Sequence, residues 1–283
     1  IKLLNIICNY KYIVLGAEKC INVVRHRFMK HLLYLFIILI NSTIHAQSNE
    51  NIFKKIHIEV DGEEVFDVSA ITQDHQGFIW MATNLGLIRY DGLEGKKYYS
   101  DSSSDDNGGI NTLYVDSQGD LWIGSISGLS KYNPDCDCIL QYSSNIADFK
   151  LTNILAITED LDKNIWIATL QGGLLQYDRE NAVFTRFLSK LSDPITLTNT
   201  SVFHLLVDKS NNLWIGTNLG LIRYNIKSGE IKQFLHEPTN SDSLLDNHIS
   251  VLYEDQHGQI LIGTFQCELH IYNPINESIT RMS

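Results

Sequence analysis

The residues of this 283-residue chain best suited to chemistry are a close cysteine pair, a run of acids and amides, and two arginines, and each would serve a different reaction. Cys136-Asp137-Cys138 offers two thiols one residue apart; bridging them would strain disulfide geometry, so free thiols or a redox-labile pair are expected. A metal site there would need ligands from elsewhere, since no other Cys or His is nearby in sequence. Asp160-Leu-Asp-Lys-Asn164 opens like a calcium loop, but Ile165-Trp166 follows where a Gly turn belongs, and Gln171 stands where a bidentate Glu is required. Arg89 and Arg223 would suit a glycosidase of the sialidase kind, which clusters arginines with a Tyr and an acid. Lys131 and Gln176 hold the matching places elsewhere, so this position reads as a tolerant, exposed strand site. The histidines are scattered, His204 in a strand and His75 and His257 in turns, which does not suggest a metal centre. No Gly-x-Ser-x-Gly, His-Glu-x-x-His, phosphate loop or dinucleotide fingerprint occurs, and the reading is a chain without catalytic residues, metal or cofactor.

What positions these residues is a repeat. Asp208-Lys-Ser-Asn-Asn-Leu-Trp-Ile-Gly-Thr-Asn-Leu-Gly-Leu-Ile-Arg-Tyr-Asn225 reads as turn, strand, Gly turn, strand. The same register returns from Asp74 with Trp80, Asp116 with Trp122, Asp160 with Trp166, and Asp255 with Leu261 in place of Trp. Each Asp lies six residues before its aromatic or the replacement, and successive anchors are 42, 44, 48 and 47 residues apart. That period predicts four-stranded blades of an all-β propeller. In each copy the Asp accepts backbone N–H groups of a tight turn, and Gly77, Gly119, Gly258, Asn164 or Asn212 takes the positive φ. The Trp fills the space between blades, and the small residue two later (Ala82, Gly124, Ala168, Gly216 or Gly263) lets backbones approach. Asp74, Trp80, Asp116, Trp122, Asp160, Trp166, Asp208, Trp214 and Asp255 are therefore structural. Blades are expected at 68–100, 110–142, 153–187, 201–234 and 249–282, with a leading strand at 53–60 closing the ring. The two Pro-containing connections, 191–199 and 236–247, read as polar loops on one face.

The amino-terminal part reads differently. Met29-Lys-His followed by the apolar run Leu32–Ile40 and a small residue, Ala46, describes a signal peptide over 29–46, with 1–28 as upstream sequence translated in error. The expected exported part, 47–283, holds 16 Lys and Arg against 32 Asp and Glu, a net charge of -16 against -11 for the whole chain. Nucleic acid and anionic membrane surfaces are poor partners for it, and neutral or cationic ligands are favoured. No Cys follows Ala46, so a lipid anchor there is not indicated.

With turn Asp, Gly, Trp, Gly-Thr and Gly-Leu-x-x-Tyr in repeated register, Ile71–Gly92 resembles the two-component regulator propeller repeat, and the resemblance spans about residues 51 to 283. It implies the periplasmic sensor region of a hybrid two-component system, in which histidine kinase and response regulator share one polypeptide anchored in the inner membrane. The family's propellers generally have seven blades, so five blades imply an incomplete ring and an amino-terminal fragment of a longer sensor. The partners implied are a glycan or other small extracellular ligand, downstream sensor and kinase domains of the same polypeptide, and a second copy in a full-length homodimer. The alternative is a free-standing secreted propeller, either a carbohydrate-active enzyme or a protein-binding scaffold. The turn after each Gly-Thr strand is the expected ligand surface: Asn84, Gln171, Asn218 and Gln266 offer amides for sugar hydroxyls, and Phe265 a ring to stack on a sugar. The repeat predicts a β-type far-UV circular dichroism spectrum for 47–283, and a mainly helical spectrum would overturn the fold assignment.

Overall fold

The computed structural model describes residues 57–98, 109–142, 145–146, 149–188 and 195–282. The expected signal peptide, the expected upstream segment and residues 53–56 of the expected leading strand lie outside the described residues. No described residue is helical. A two-residue hairpin, β1 (Glu59–Val60) and β2 (Glu63–Glu64), precedes the first blade. Blade one is β3 (Ala70–Gln73), β4 (Ile79–Thr83), β5 (Gly86–Tyr90) and β6 (Gly95–Tyr98). Blade two is β7 (Ile110–Val115), β8 (Leu121–Ser125), β9 (Leu129–Asn133) and β10 (Cys138–Gln141), followed by a short pair, β11 (Asn145–Ile146) and β12 (Phe149–Lys150). Blade three is β13 (Ile154–Glu159), β14 (Ile165–Thr169), β15 (Gly173–Asp178) and β16 (Val183–Phe187). Blade four is β17 (Val202–Val207), β18 (Asn212–Thr217), β19 (Gly220–Asn225) and β20 (Ile231–Phe234). Blade five is β21 (Ile249–Glu254), β22 (Ile260–Thr264), β23 (Leu269–Asn273) and β24 (Ser278–Met282). Each blade is an antiparallel meander, and the inner strands β3, β7, β13, β17 and β21 neighbour one another in that order without closing a ring.

The Asp of each repeat has two tasks, one per oxygen. In blade four Oδ1 of Asp208 accepts the N–H of Ser210 and of Asn212, both at 2.8–2.9 Å, which closes the turn between β17 and β18. Its Oδ2 accepts the indole N–H of Trp214 at 2.8 Å. The same indole bond joins Asp74 to Trp80, Asp116 to Trp122 and Asp160 to Trp166 at 2.6–2.8 Å. A buried Trp needs a partner for its one donor. The four rings are no more than 2% exposed, and each meets the Tyr of the next blade: Trp80 with Tyr132 at 4.8 Å, Trp122 with Tyr177 at 5.5 Å, Trp166 with Tyr224 at 6.2 Å and Trp214 with Tyr272 at 4.8 Å. The small residue beside each Trp is needed for the same contact: a Cβ on Gly216 would sit 2.9 Å from Ile249, the first residue of the next inner strand.

Four details depart from the sequence expectations. The positive φ of blades three and four belongs to Lys163 (69°) and Asn211 (60°), one residue before Asn164 and Asn212; those two asparagines instead use their side-chain amides to bind Asp160 and Asp208. Residues 57–60 do not add to blade five, whose sheet is complete from its own four strands. Asp61 and Gly62, both at positive φ, form the kind of two-residue hairpin turn that Asp-Gly favours, so β1 folds onto β2. Ile58 and Val60 then cover Met81 and Ile88 on the outer side of blade one. The connections before blades four and five are not simply polar: Leu197 and Leu244, 2% and 0% exposed, pack in the clusters of Trp166 and Trp214, as Leu151 does in that of Trp122. Cys136 and Cys138 are joined by a disulfide rather than being free thiols.

Blade five is the last of the described blades. Where blade four presents Leu206, Trp214, Leu221 and Phe234 to its neighbour, blade five carries Tyr253, Leu261, Leu269 and Met282, and the last two are 39% and 53% exposed. His204, opposite Gly216, has no partner for its buried Nδ1 among the described residues, and burial pushes its imidazole down to about 4, so it is neutral. Replacing Asp208 by Ala strands the buried Trp214 N–H, whereas in blade five Asp255 has no indole to hold. Asp208→Ala should therefore destabilise by about 1–3 kcal/mol more than Asp255→Ala in urea unfolding; equal losses would show that the indole bond contributes nothing.

Candidate functional site

Two ends of the array expose the residues that vary between repeats. Turns joining second to third strands and connections joining blades share the upper face; the Asp turns and the turns joining third to fourth strands share the lower face. On the upper face the first residue of each variable turn is pinned by its backbone to a residue ahead of the same blade's inner strand, the one immediately before it in blades two to five. Asn84 donates to Phe66 O, Ile126 to Gly109 O, Leu170 to Asn153 O, Asn218 to Ser201 O and Phe265 to His248 O, at 2.9–3.4 Å. The turn Gly is held from the next blade: Gly173 N–H donates to Thr200 O and Gly220 N–H to Asn247 O. Both glycines have positive φ, and a Cβ would meet Leu197 O at 2.4 Å or Phe234 O at 2.7 Å, so no other residue fits. Side chains of these turns thus stand on a rigid base.

The five expected ligand residues divide. Asn84 and Asn218 are half-buried, and their Oδ1 atoms accept the N–H of Phe66 at 3.0 Å and of Ser201 at 3.2 Å, so part of their hydrogen-bonding capacity holds the fold. Gln171 and Gln266 are exposed. Phe265 is 47% exposed and lies against Phe203 at 5.0 Å between centroids, with the His248 ring at 6.3 Å. Sequence reasoning missed Phe203 and His248. Phe203 is displaced by a register shift between Val202 and His204, and a bulge turns its side chain out of the strand's ordinary alternation. A related shift in β7 lets Asn111 Nδ2 donate to Ile154 O of the next blade at 2.9 Å. The only sequence signal was the unbroken apolar start of β17, which periodicity cannot resolve. Blade five's turn is longer than that of blade four: Cys267 takes φ 65°, and Thr264 Oγ1 has no partner among the described residues, where Thr217 Oγ1 bonds Gly220 O at 2.7 Å.

The lower face holds a different arrangement. Arg89, only 23% exposed at its side chain, donates to Tyr132 OH at 3.0 Å and reaches Asp137 at 3.5 Å, both in blade two. Asp137 also accepts the hydroxyls of Tyr98 and Tyr132 at 2.6 and 2.7 Å and is bound by Lys96. Between blades four and five the plan repeats: Arg223, 16% exposed at its side chain, donates to Tyr272 OH at 2.8 Å and to Glu277 at 3.0 Å, and Lys232 reaches Glu277 at 2.7 Å. Each acid is five residues after the blade's Tyr, at φ 50° and 54°. Blades three and four have Ala182 and Gly229 at that place, and there Lys131 and Gln176 replace the Arg of the preceding blade. The Arg position is thus not a tolerant exposed site but one half of an inter-blade latch, present where its acid is present. Hydrogen bonds from Lys96, Tyr98 and Tyr132 hold Asp137 well below its ordinary 3.8, and Lys232 with Arg223 holds Glu277 below 4.5. A third cluster joins blades two and three: Arg179 binds Asp116 at 2.5 Å and Glu159 at 3.1 Å. Burial raises the Asp116 carboxyl, but the bonds from Trp122 and Arg179 outweigh it and leave the value lowered.

Residues 104–127, 196–219 and 243–266 match the model of the two component regulator propeller, each match running through an inner strand, its Asp turn and the following Gly-Thr or Gly-Ser strand. These three segments, 24 residues each, carry the likeness to the two component regulator propeller. The chain is 28% identical over 221 residues to histidine kinase P4 of Formosa agariphila, a match covering 71% of this chain and 16% of that protein. Among solved structures it is similar to the extracellular domain of a protein of B. thetaiotaomicron described as a hybrid two component system, at TM-score 0.63 and 25% identity over 76% of this chain and 29% of that one. Virginiamycin B lyase of Staphylococcus aureus, at TM-score 0.56 and 14% identity over 77% of this chain and 70% of its own, shares the fold. The chain thus spans less than a third of the length of either the histidine kinase or the hybrid-system extracellular domain.

Because Glu277 is held below its ordinary value by the latch, its contribution is complete above pH 4.5 and is lost as pH falls through its lower folded value. Acid thermal-unfolding profiles should therefore be shallower for Glu277→Gln than for the unaltered chain. Parallel profiles would remove Glu277 from the latch.

Proposed function

We propose that this chain is the ligand-sensing propeller portion of an exported hybrid two-component histidine kinase, and that its upper face takes up a neutral oligosaccharide or similar small extracellular ligand. The observation that carries this reading is the pinning of all five variable turns to their inner strands, which presents differing side chains from one rigid surface. Phe265 with Phe203 supplies an apolar platform for a sugar face, while Gln171 and Gln266 supply donors and acceptors for hydroxyls. The acidic balance of the expected exported part favours a neutral or cationic ligand over an anionic one. Similarity to a histidine kinase and to the extracellular domain of a hybrid system supports the sensor role, with the kinase supplied by downstream domains of the same polypeptide.

Two measurements test this. The gene read downstream of Ser283 should encode a membrane helix and a kinase; a stop there would favour a free-standing secreted propeller. Calorimetry of the chain against a panel of neutral oligosaccharides should find a binder, and Phe265→Ala and Gln266→Ala should each weaken it about tenfold, or 1.4 kcal/mol. Asn84→Ala and Asn218→Ala are poorer probes because they also release Phe66 and Ser201. No binder, or a binder indifferent to Phe265, Gln266 and Gln171, would eliminate the upper face as the recognition surface.

A further inference from the structure

The acid of the lower-face latch is braced differently in its two copies. In blade five Glu277 lies between Asn276 and Ser278, and the Ser278 hydroxyl donates to Asn276 Oδ1 at 2.8 Å across it. In blade two Asp137 lies between Cys136 and Cys138, and a disulfide makes the same crossing. Both acids hold positive φ, a conformation that residues with a Cβ adopt less readily than Gly. The same place is at positive φ in blades three and four, at Ala182 and Gly229, so the turn itself sets the conformation; the bond between the flanking residues ties the two sides of the acid together and limits where its carboxylate can stand. Cys136 is exposed and Cys138 half-buried, so the brace is open to solvent on one side.

We propose that Cys136–Cys138 is a thiol–disulfide exchange site whose substrate is a dithiol reductant, and that its redox state sets the latch between blades one and two. One reductant thiolate attacks the exposed Cys136 sulfur; the S–S bond breaks and Cys138 leaves as a thiolate that takes a proton. The second reductant thiol then attacks the mixed disulfide and releases Cys136 as a thiol. Two electrons pass from the dithiol, which ends as a disulfide, and a disulfide oxidant reverses the step. Reduction removes the covalent link across Asp137, lets the turn carrying it move, and weakens its bonds to Lys96, Tyr98, Tyr132 and Arg89 together. The latch around Glu277 contains no sulfur and stays unchanged, giving an internal reference within one molecule.

Hydrogen exchange read by mass spectrometry on the full chain, oxidised and after treatment with dithiothreitol, tests this. A mass gain of two hydrogens in the peptide holding residues 134–140 reports reduction. Amides of β6 and β9 should then exchange several-fold faster, with β20 and β23 unchanged. Asp137→Ala should exchange fast at β6 and β9 in both states, so that reduction adds nothing to it. The proposal fails if the native chain resists the dithiol, if reduction leaves β6 and β9 as protected as before, if β20 and β23 change equally, or if Asp137→Ala responds as fully as the unaltered chain.

Discussion

The architecture depends on one carboxylate placed between a turn and a tryptophan. In four blades the repeat Asp receives turn N–H groups on one oxygen and the indole N–H on the other, so a single side chain shapes a local reversal and fixes a ring that belongs to a long-range interface. The indole carries a donor that has to be satisfied once the ring is buried, and the Asp satisfies it without admitting water. The ring is then free to present its faces to the Tyr of the following blade. Local and non-local preferences agree, which is the condition under which a repeat array specifies one structure. Blade five shows the converse: with Leu261 in place of Trp, Asp255 keeps its turn bonds to His257 and Gln259, and no indole lies between it and a further blade.

The two faces of the array use the same scaffold for different purposes. On the upper face, backbone bonds hold the base of every variable turn, and side chains such as Gln171 and Gln266 stand exposed above it. Loop 236–248 is held there by blade five itself, through Arg281 to the carbonyls of Asn240 and Ser243 and His270 to the N–H of Leu245. On the lower face the variable residues are consumed by contacts between blades, in acid, Arg and Tyr clusters around Asp116, Asp137 and Glu277. Partly buried ion pairs of this kind contribute mainly where hydrogen bonds satisfy the remaining oxygens, as Tyr98 and Tyr132 do for Asp137. The proposed recognition surface and the clusters that join the blades therefore lie on opposite faces of the array.

The blades, their order and the structural role of Asp and Trp are legible along the chain, because those features repeat at a fixed period and each copy reports on the others. It also marked Gln171, Phe265 and Gln266 as surface residues, since the turn after a Gly-Thr strand is set by local chain geometry. Tertiary structure alone decided the rest, because the remaining partners lie a whole blade apart. Arg89 is 48 residues from Asp137 and Arg223 is 54 from Glu277, and nothing local in either segment names the other. Leu197 and Leu244 sit in polar connections whose composition conceals that one leucine plugs the gap between blades. Phe203 reaches Phe265 only because a bulge rotates it out of strand alternation, and Asn84 and Asn218 lose part of their hydrogen-bonding freedom to backbone groups 17 or 18 residues away. Period and local turn chemistry are written along the chain; contacts between consecutive blades appear only when the meanders are set side by side.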